Sequence, residues 1–93
     1  MEATEIERTL RERLASLSPT LLDLEDQSHL HAGHAGAQGG RHYRLSIVST
    51  AFAGKTTVAR HRLVYAAVGD LMRGPVHALT IQAQTPEEAG AHQ

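Results

Sequence analysis

Seven histidines and no cysteine set the chemistry open to this chain of 93 residues. Imidazole exchanges a proton near neutral pH and is a common metal ligand, whereas disulfides and self-contained thiolate centres require Cys. Three of the histidines, His29, His31 and His34, crowd into the Gly-rich stretch "SHLHAGHAGAQGGR". His77 opens "HALTIQAQT", His61 lies inside "RHR", and His42 reads most simply as a strand residue. From spacing alone, His77 is a histidine that caps or packs at the start of a strand. The loop cluster is then a solvated polar segment or a weak zinc or nickel site, since imidazole suits those metals.

A second candidate is Gly54-Lys55-Thr56, which follows a strand-like run and precedes a helix-like one, the order of elements in a phosphate-binding P-loop. That loop needs a Gly five positions before its Gly-Lys-Thr so that successive backbone N–H groups wrap the phosphates. Ser49 occupies that position. The chain is also short for the Walker-B strand and base pocket of a nucleotide-hydrolysing domain, and the nucleotide reading is set aside. No Ser/His/Asp arrangement, carboxylate pair or Cys nucleophile presents itself, so no catalytic residue is assigned and the chain reads as a non-enzyme.

The bulk composition narrows the classes further. At 41% hydrophobic and 20% charged the chain is ordinarily globular, but aromatics make up only 3%, so Leu, Val, Ile and Ala must build the core. A net charge of −1 argues against tight nucleic-acid binding, which rests on neutralising phosphates. No apolar run reaches membrane-spanning length, and "MEATEIERTL" lacks the layout of a signal peptide. A soluble, cytoplasmic protein is expected.

The elements that must position these residues follow from periodicity. Thr4 and Glu7 have the spacing of a capping box at a helix start, and Ile6, Leu10, Leu14 and Leu17 form its apolar stripe until Ser18-Pro19. "TLLDLED" (Thr20 to Asp26) and "HYRLSIVS" (His42 to Ser49) alternate as strands, the second with Tyr43, Leu45 and Ile47 inward. They bracket the Gly/His-rich loop as an antiparallel hairpin. Val58 to Met72 returns to helical period, with Val64, Val68, Leu71 and Met72 on one stripe. "VHALTIQAQT" is a third strand, able to run parallel to a hairpin strand after the helix, and Pro86-Glu87-Glu88 opens a short last helix. The predicted fold is α+β in the order α-β-β-α-β-α, a three-stranded mixed sheet with its helices on one face. One domain spans 1–93, with 28–41 a mobile loop and 90–93 a disordered tail.

Across nearly its whole length the chain resembles BolA-type proteins. The resemblance is carried by "LEDQSHLHAGH", by "HYRLSIVSTAF" with Gly54, by "RHRLVYAAVGDLM" and by "GPVHALTIQAQTPEE". It implies a class II KH-like fold, in which the turn at Gly54 and Lys55 matches the Gly loop that grips nucleic acid in KH domains. It also implies a partner, a monothiol glutaredoxin with its glutathione, and a two-iron, two-sulfur cluster held between the two proteins only in the complex. In that picture His77 is the main ligand from this chain and His31 the second, with His34 the next choice and His29 behind it. This chain would be a monomer alone and a heterodimer with the glutaredoxin. Arg60, His61 and Arg62, with Gly54 and Lys55, are the expected partner-binding or nucleic-acid-binding residues, one arginine bracing the fold and the other free to meet a partner. Lys55, Arg41 and Arg44 extend a modest basic patch. The alternative function is a DNA-binding transcriptional regulator of stress genes that binds DNA weakly through the Gly54 turn and the helix behind it.

Overall fold

A computed structural model describes residues 2–28 and 41–90. The elements are α1 (Ala3–Leu14), β1 (Leu21–Asp26), β2 (Arg41–Val48), α2 (Thr57–Val68), β3 (Val76–Gln84) and α3 (Pro86–Gly90), with short 3-10 turns after α1, β2 and α2. β2 is the central strand, antiparallel to β1 and parallel to β3. The α+β class, the element order and the mixed sheet match the sequence expectation.

The apolar periodicities converge on one core. Ile6, Leu10 and Leu14 of α1 and Val64 and Val68 of α2 pack with Leu24 of β1, Tyr43, Leu45 and Ile47 of β2, and Leu79 of β3. Strand alternation then places Glu25, Arg44 and Thr80 side by side on the solvent face, where all three are exposed. A half-exposed sheet needs this clean alternation, since a register slip of one residue would exchange the two faces.

Two helix boundaries differ from expectation. Helix α1 begins two residues earlier than a Thr4 cap requires: Glu2 is the N-cap, without a side-chain cap bond, and Thr4 lies inside the helix. No capping box forms. Helix α2 stops at Val68, short of Met72, because Gly69 turns to φ 63° and the chain tightens into a 3-10 turn over Gly69–Arg73. Arg13 of α1 fastens this end. Its Nη1 donates to the Val68 carbonyl at 2.7 Å and to Asp70 Oδ1 at 2.6 Å, supplying a cation where the helix dipole is negative.

Candidate metal centre at the head of the third strand

His77 is the second residue of β3 and is exposed. Its position follows from a defect in strand pairing. Arg41 pairs with Val76 while the next residue, His42, pairs with Ala78, so His77 is the extra residue of a bulge. A bulge sets two residues against one and re-aims a side chain out of strict alternation. The result is a histidine pair: the His42 and His77 ring centroids are 5.0 Å apart, with the rings tilted by 53°. Sequence reasoning left His42 as a plain strand residue, because no periodicity reports the register between two strands separated by a helix.

The same end of the sheet anchors both feet of the Gly/His-rich segment. The Gln27 N–H donates to the His42 carbonyl at 2.8 Å, and the Arg41 N–H to the Pro75 carbonyl at 3.1 Å. Asp26 Oδ1 accepts from the Ser28 N–H at 2.9 Å, Asp26 Oδ2 from Arg41 Nη1 at 3.2 Å, and Ser28 Oγ from the His42 N–H at 3.1 Å. Ser28 and Arg41, placed in the loop by composition, are therefore tied into the strand ends. His29, His31 and His34 lie outside the described residues, as does the tail at 91–93. Gly90, grouped with that tail, closes α3. On the inner side, burial raises the Tyr43 pKa, with smaller contributions from Asp26 and Glu7 and an opposing one from Arg41. Its buried hydroxyl meets no hydrogen-bond partner among the described residues.

The remaining candidates gather at the other end. Helix α2 runs back along β3, with the Tyr65 hydroxyl 3.5 Å from the Leu79 carbonyl oxygen and Arg60 Nη1 donating to the Ala83 carbonyl at 3.0 Å. Ser49 N–H, at the end of β2, donates to Gln84. The rise from His77 to Gln84 is about 23 Å at roughly 3.3 Å per residue, so Gly54 and Lys55 share no site with His77. Gly54 takes φ 71° with open space where a Cβ would stand, giving an exposed turn before the Thr56 N-cap, whose Oγ1 accepts from the Ala59 N–H.

Arg60 is committed to the fold. It donates to the Lys55 and Ala83 carbonyls and clasps both oxygens of Glu88 at 2.6 and 3.2 Å. The Arg60 hydrogen bonds, followed by one from the Thr85 N–H, pull the Glu88 carboxyl down to about 2. Arg62 is exposed and His61 half-buried. An open groove of about 380 Å³ beside the Gly54 turn is lined by Thr50, Ala53, Arg60, Thr85, Glu87 and Glu88 among others. Arg60 is the one cation among its described lining residues, and Glu88 neutralises it.

At the His77 end the candidate donors are imidazole nitrogens, and the chain has no cysteine. Such a set can complete the coordination of an iron whose other ligands are sulfur, as two imidazoles do in Rieske centres.

A family model described as BolA-like protein matches residues 14–88. SufE-like protein 1 of Arabidopsis thaliana, described as chloroplastic/mitochondrial, is 46% identical over 86 residues, covering 85% of this chain and 23% of that protein. BolA-like protein 1 of Homo sapiens is 43% identical over 84 residues, covering 89% and 60%. The chain therefore spans about a quarter and three fifths of these two relatives. Among solved structures, the BolA domain of SufE1 from Arabidopsis thaliana superposes with a TM-score of 0.79 at 44% identity, covering 95% of this chain and 99% of that one. Mouse BolA1 gives 0.79 at 41% identity, covering 94% and 70%.

Proposed function

Because the chain belongs to the BolA-like family, we propose that it is a non-enzymatic iron–sulfur adaptor that shares a bridging two-iron, two-sulfur cluster with a monothiol glutaredoxin. His77 supplies one imidazole and a loop histidine, His31 ahead of His34, supplies the other; glutaredoxin thiolate and glutathione occupy the partner side. The bridging cluster, when bound, supplies iron whose reduction potential rises on imidazole ligation. The observation that carries the reading is the shared anchorage: the feet of the His-bearing segment, Gln27-Ser28 and Arg41-His42, are bonded to one another and to the strand entry that presents His77. Both ends of the segment that carries the loop histidines are thereby fixed at the strand entry of His77. The exposed flank of α2 at Tyr65, whose hydroxyl lies by the Leu79 carbonyl, offers a docking surface beside that end.

The likeness to the BolA domain of a SufE-like protein, 23% of which this chain spans, supports the reading only through that domain. Since that relative is described as chloroplastic/mitochondrial, cytoplasmic location stays part of the proposal. No observation at the Gly54 turn favours the DNA-binding alternative, since the groove there carries Glu87 and Glu88 and its arginine is already neutralised.

The test is to titrate this protein into a cluster-loaded monothiol glutaredoxin while recording visible absorption and circular dichroism. The wild type should reshape the cluster bands at one-to-one stoichiometry, His77→Ala should not, and His31→Ala and His34→Ala should rank the loop ligands. No spectral change with the wild type would remove the shared-cluster mechanism.

A further inference from the structure

Helix α3 lies against the body without a single buried residue. Five residues are too few for a helix to persist by itself. Its Thr85–Glu88 capping pair, with the Thr85 N–H donating to Glu88 Oε1 at 2.8 Å and the Glu88 N–H to Thr85 Oγ1 at 3.2 Å, closes only its own first turn. Among the described residues, the side-chain bond from α3 to the body is the Glu88 clasp on Arg60, made through both carboxylate oxygens at 2.6 and 3.2 Å. The guanidinium does not depend on that clasp for its position. Its Nε donates to the Lys55 carbonyl at 2.9 Å and its Nη1 to the Ala83 carbonyl at 3.0 Å, and the side chain is only 13% exposed. A planar fork fixed in this way matches a carboxylate bidentately. With α3 lifted away, its outer edge would face the groove whose other walls, Thr50, Ala53, Gly54 and Thr85, carry no carboxylate.

We propose that the Arg60 fork is a receptor for the carboxylate of an acidic peptide segment, and that α3 is an internal ligand that masks it, with Glu88 standing where a partner's carboxylate would bind. The observed occupant argues the class: a glutamate on a helical turn, gripped through both oxygens, with the Thr85 N–H as a further donor. Charge is complementary once α3 leaves, because Glu87 and Glu88 go with it and Arg60 is the charged group left among the described lining residues. A ligand arriving in trans competes with a tethered strap at high local concentration. Its apparent Kd is therefore the intrinsic value divided by the fraction of chains with α3 released. The closed form shows little affinity, and breaking the clasp reveals the site.

The experiment titrates a synthetic peptide of the chain's own residues 85–90, "TPEEAG", into the full chain and follows the backbone amides by proton–nitrogen NMR. In Glu88→Ala the peptide should shift the amides of Gly54, Lys55 and Thr85. It should bind that variant at least about ten-fold tighter than the wild type, the ratio set by a released fraction of about one tenth or less in the wild type. Adding Arg60→Lys, which keeps the charge but loses the fork, should abolish most of that gain, with the amide spectrum of the sheet certifying the fold. On the ligand side, the same peptide with both glutamates changed to glutamine should lose binding to Glu88→Ala, a control that needs no further change in the protein. Equal affinity for wild type and Glu88→Ala overturns the proposal, as does a glutamine peptide that binds as well. Inorganic phosphate or a short single-stranded oligonucleotide that binds the opened chain more tightly than the peptide overturns it too. No glutaredoxin or cluster is present, so failure here is separate from failure of the shared-cluster reading.

Discussion

Replacing Ser49 by Ala tests whether the turn leading to Gly54 is held by hydrogen bonds rather than by packing. Ser49 is fully buried, and its hydroxyl donates to the Leu17 carbonyl at 2.5 Å while accepting from the Ala51 N–H at 3.0 Å. The side chain thereby joins the turn after α1 to the turn after β2. The substitution removes one oxygen and leaves both partners unmatched. At about 1 kcal/mol net per bond, the expected loss is about 2 kcal/mol, and about 1 if water reaches the half-buried Ala51 amide. For a domain of this size each kcal/mol lowers Tm by about 4–8 °C. Urea unfolding followed by circular dichroism should show the lower midpoint with an unchanged slope. Ser49→Cys, whose thiol is both a weaker donor and larger than the hydroxyl in this buried site, should lose at least as much. A loss below about 0.5 kcal/mol in both variants would refute the hydrogen-bond account, because packing alone would then suffice. Ser49→Gly places a glycine five positions before Gly54 yet should bind no nucleotide, and Gly should cost a further 0.5–1 kcal/mol or so in extended backbone.

His77→Ala should leave the thermal midpoint nearly unchanged, since an exposed side chain away from caps and core contributes within about 0.5 kcal/mol, while abolishing the glutaredoxin spectral response; a large drop in Tm would mean that His77 is structural. Gly69→Ala should cost about 1–3 kcal/mol by thermal denaturation, because φ 63° with ψ −133° lies outside ordinary L-residue space and the new Cβ would sit 3.2 Å from Arg13 Nη1; a neutral result would contradict the assigned turn. Acid should loosen α3. The Glu88 carboxyl is depressed to about 2 by Arg60 and Thr85, so its contribution is complete above the unfolded value of about 4.3 and is lost as pH falls from there toward 2. Asp70, lowered chiefly by its hydrogen bond from Arg13, acts in the same sense. Carboxyl-carbon NMR should find Glu88 titrating well below the other glutamates, and Glu88→Gln should flatten that part of the acid limb.

Periodicity carried the elements because burial imposes it: the stripes of Ile6, Leu10, Leu14 and of Val64, Val68, Leu71 are those the core uses. It failed at Thr4, where spacing suited a capping box but the helix had already begun, and at Gly69, where apolar spacing continued past a residue whose φ ended the helix. The candidate site was legible only in part. His77 and the Gly54 turn stood out by type and motif, but their separation to opposite ends depends on the parallel pairing of β2 with β3. The His42–His77 approach depends on a one-residue bulge, a tertiary feature that leaves no mark in either strand's alternation. Arg60 and Arg62 divide as their different helical directions implied, with Arg60 bound to Glu88 and Arg62 exposed.

The fastening at the ends of β1 and β2 makes the twelve residues from 29 to 40 a replaceable cassette. Gln27, Ser28, Arg41 and His42 close the neck through backbone, Asp26 and Ser28 oxygens, and none of those bonds consults the sequence in between. Closure entropy grows slowly, about 0.6 kcal/mol per doubling of loop length. The length of the chain between those feet can therefore change at a small entropic cost to folding. His77, held in a framework strand, keeps its place whatever that length is.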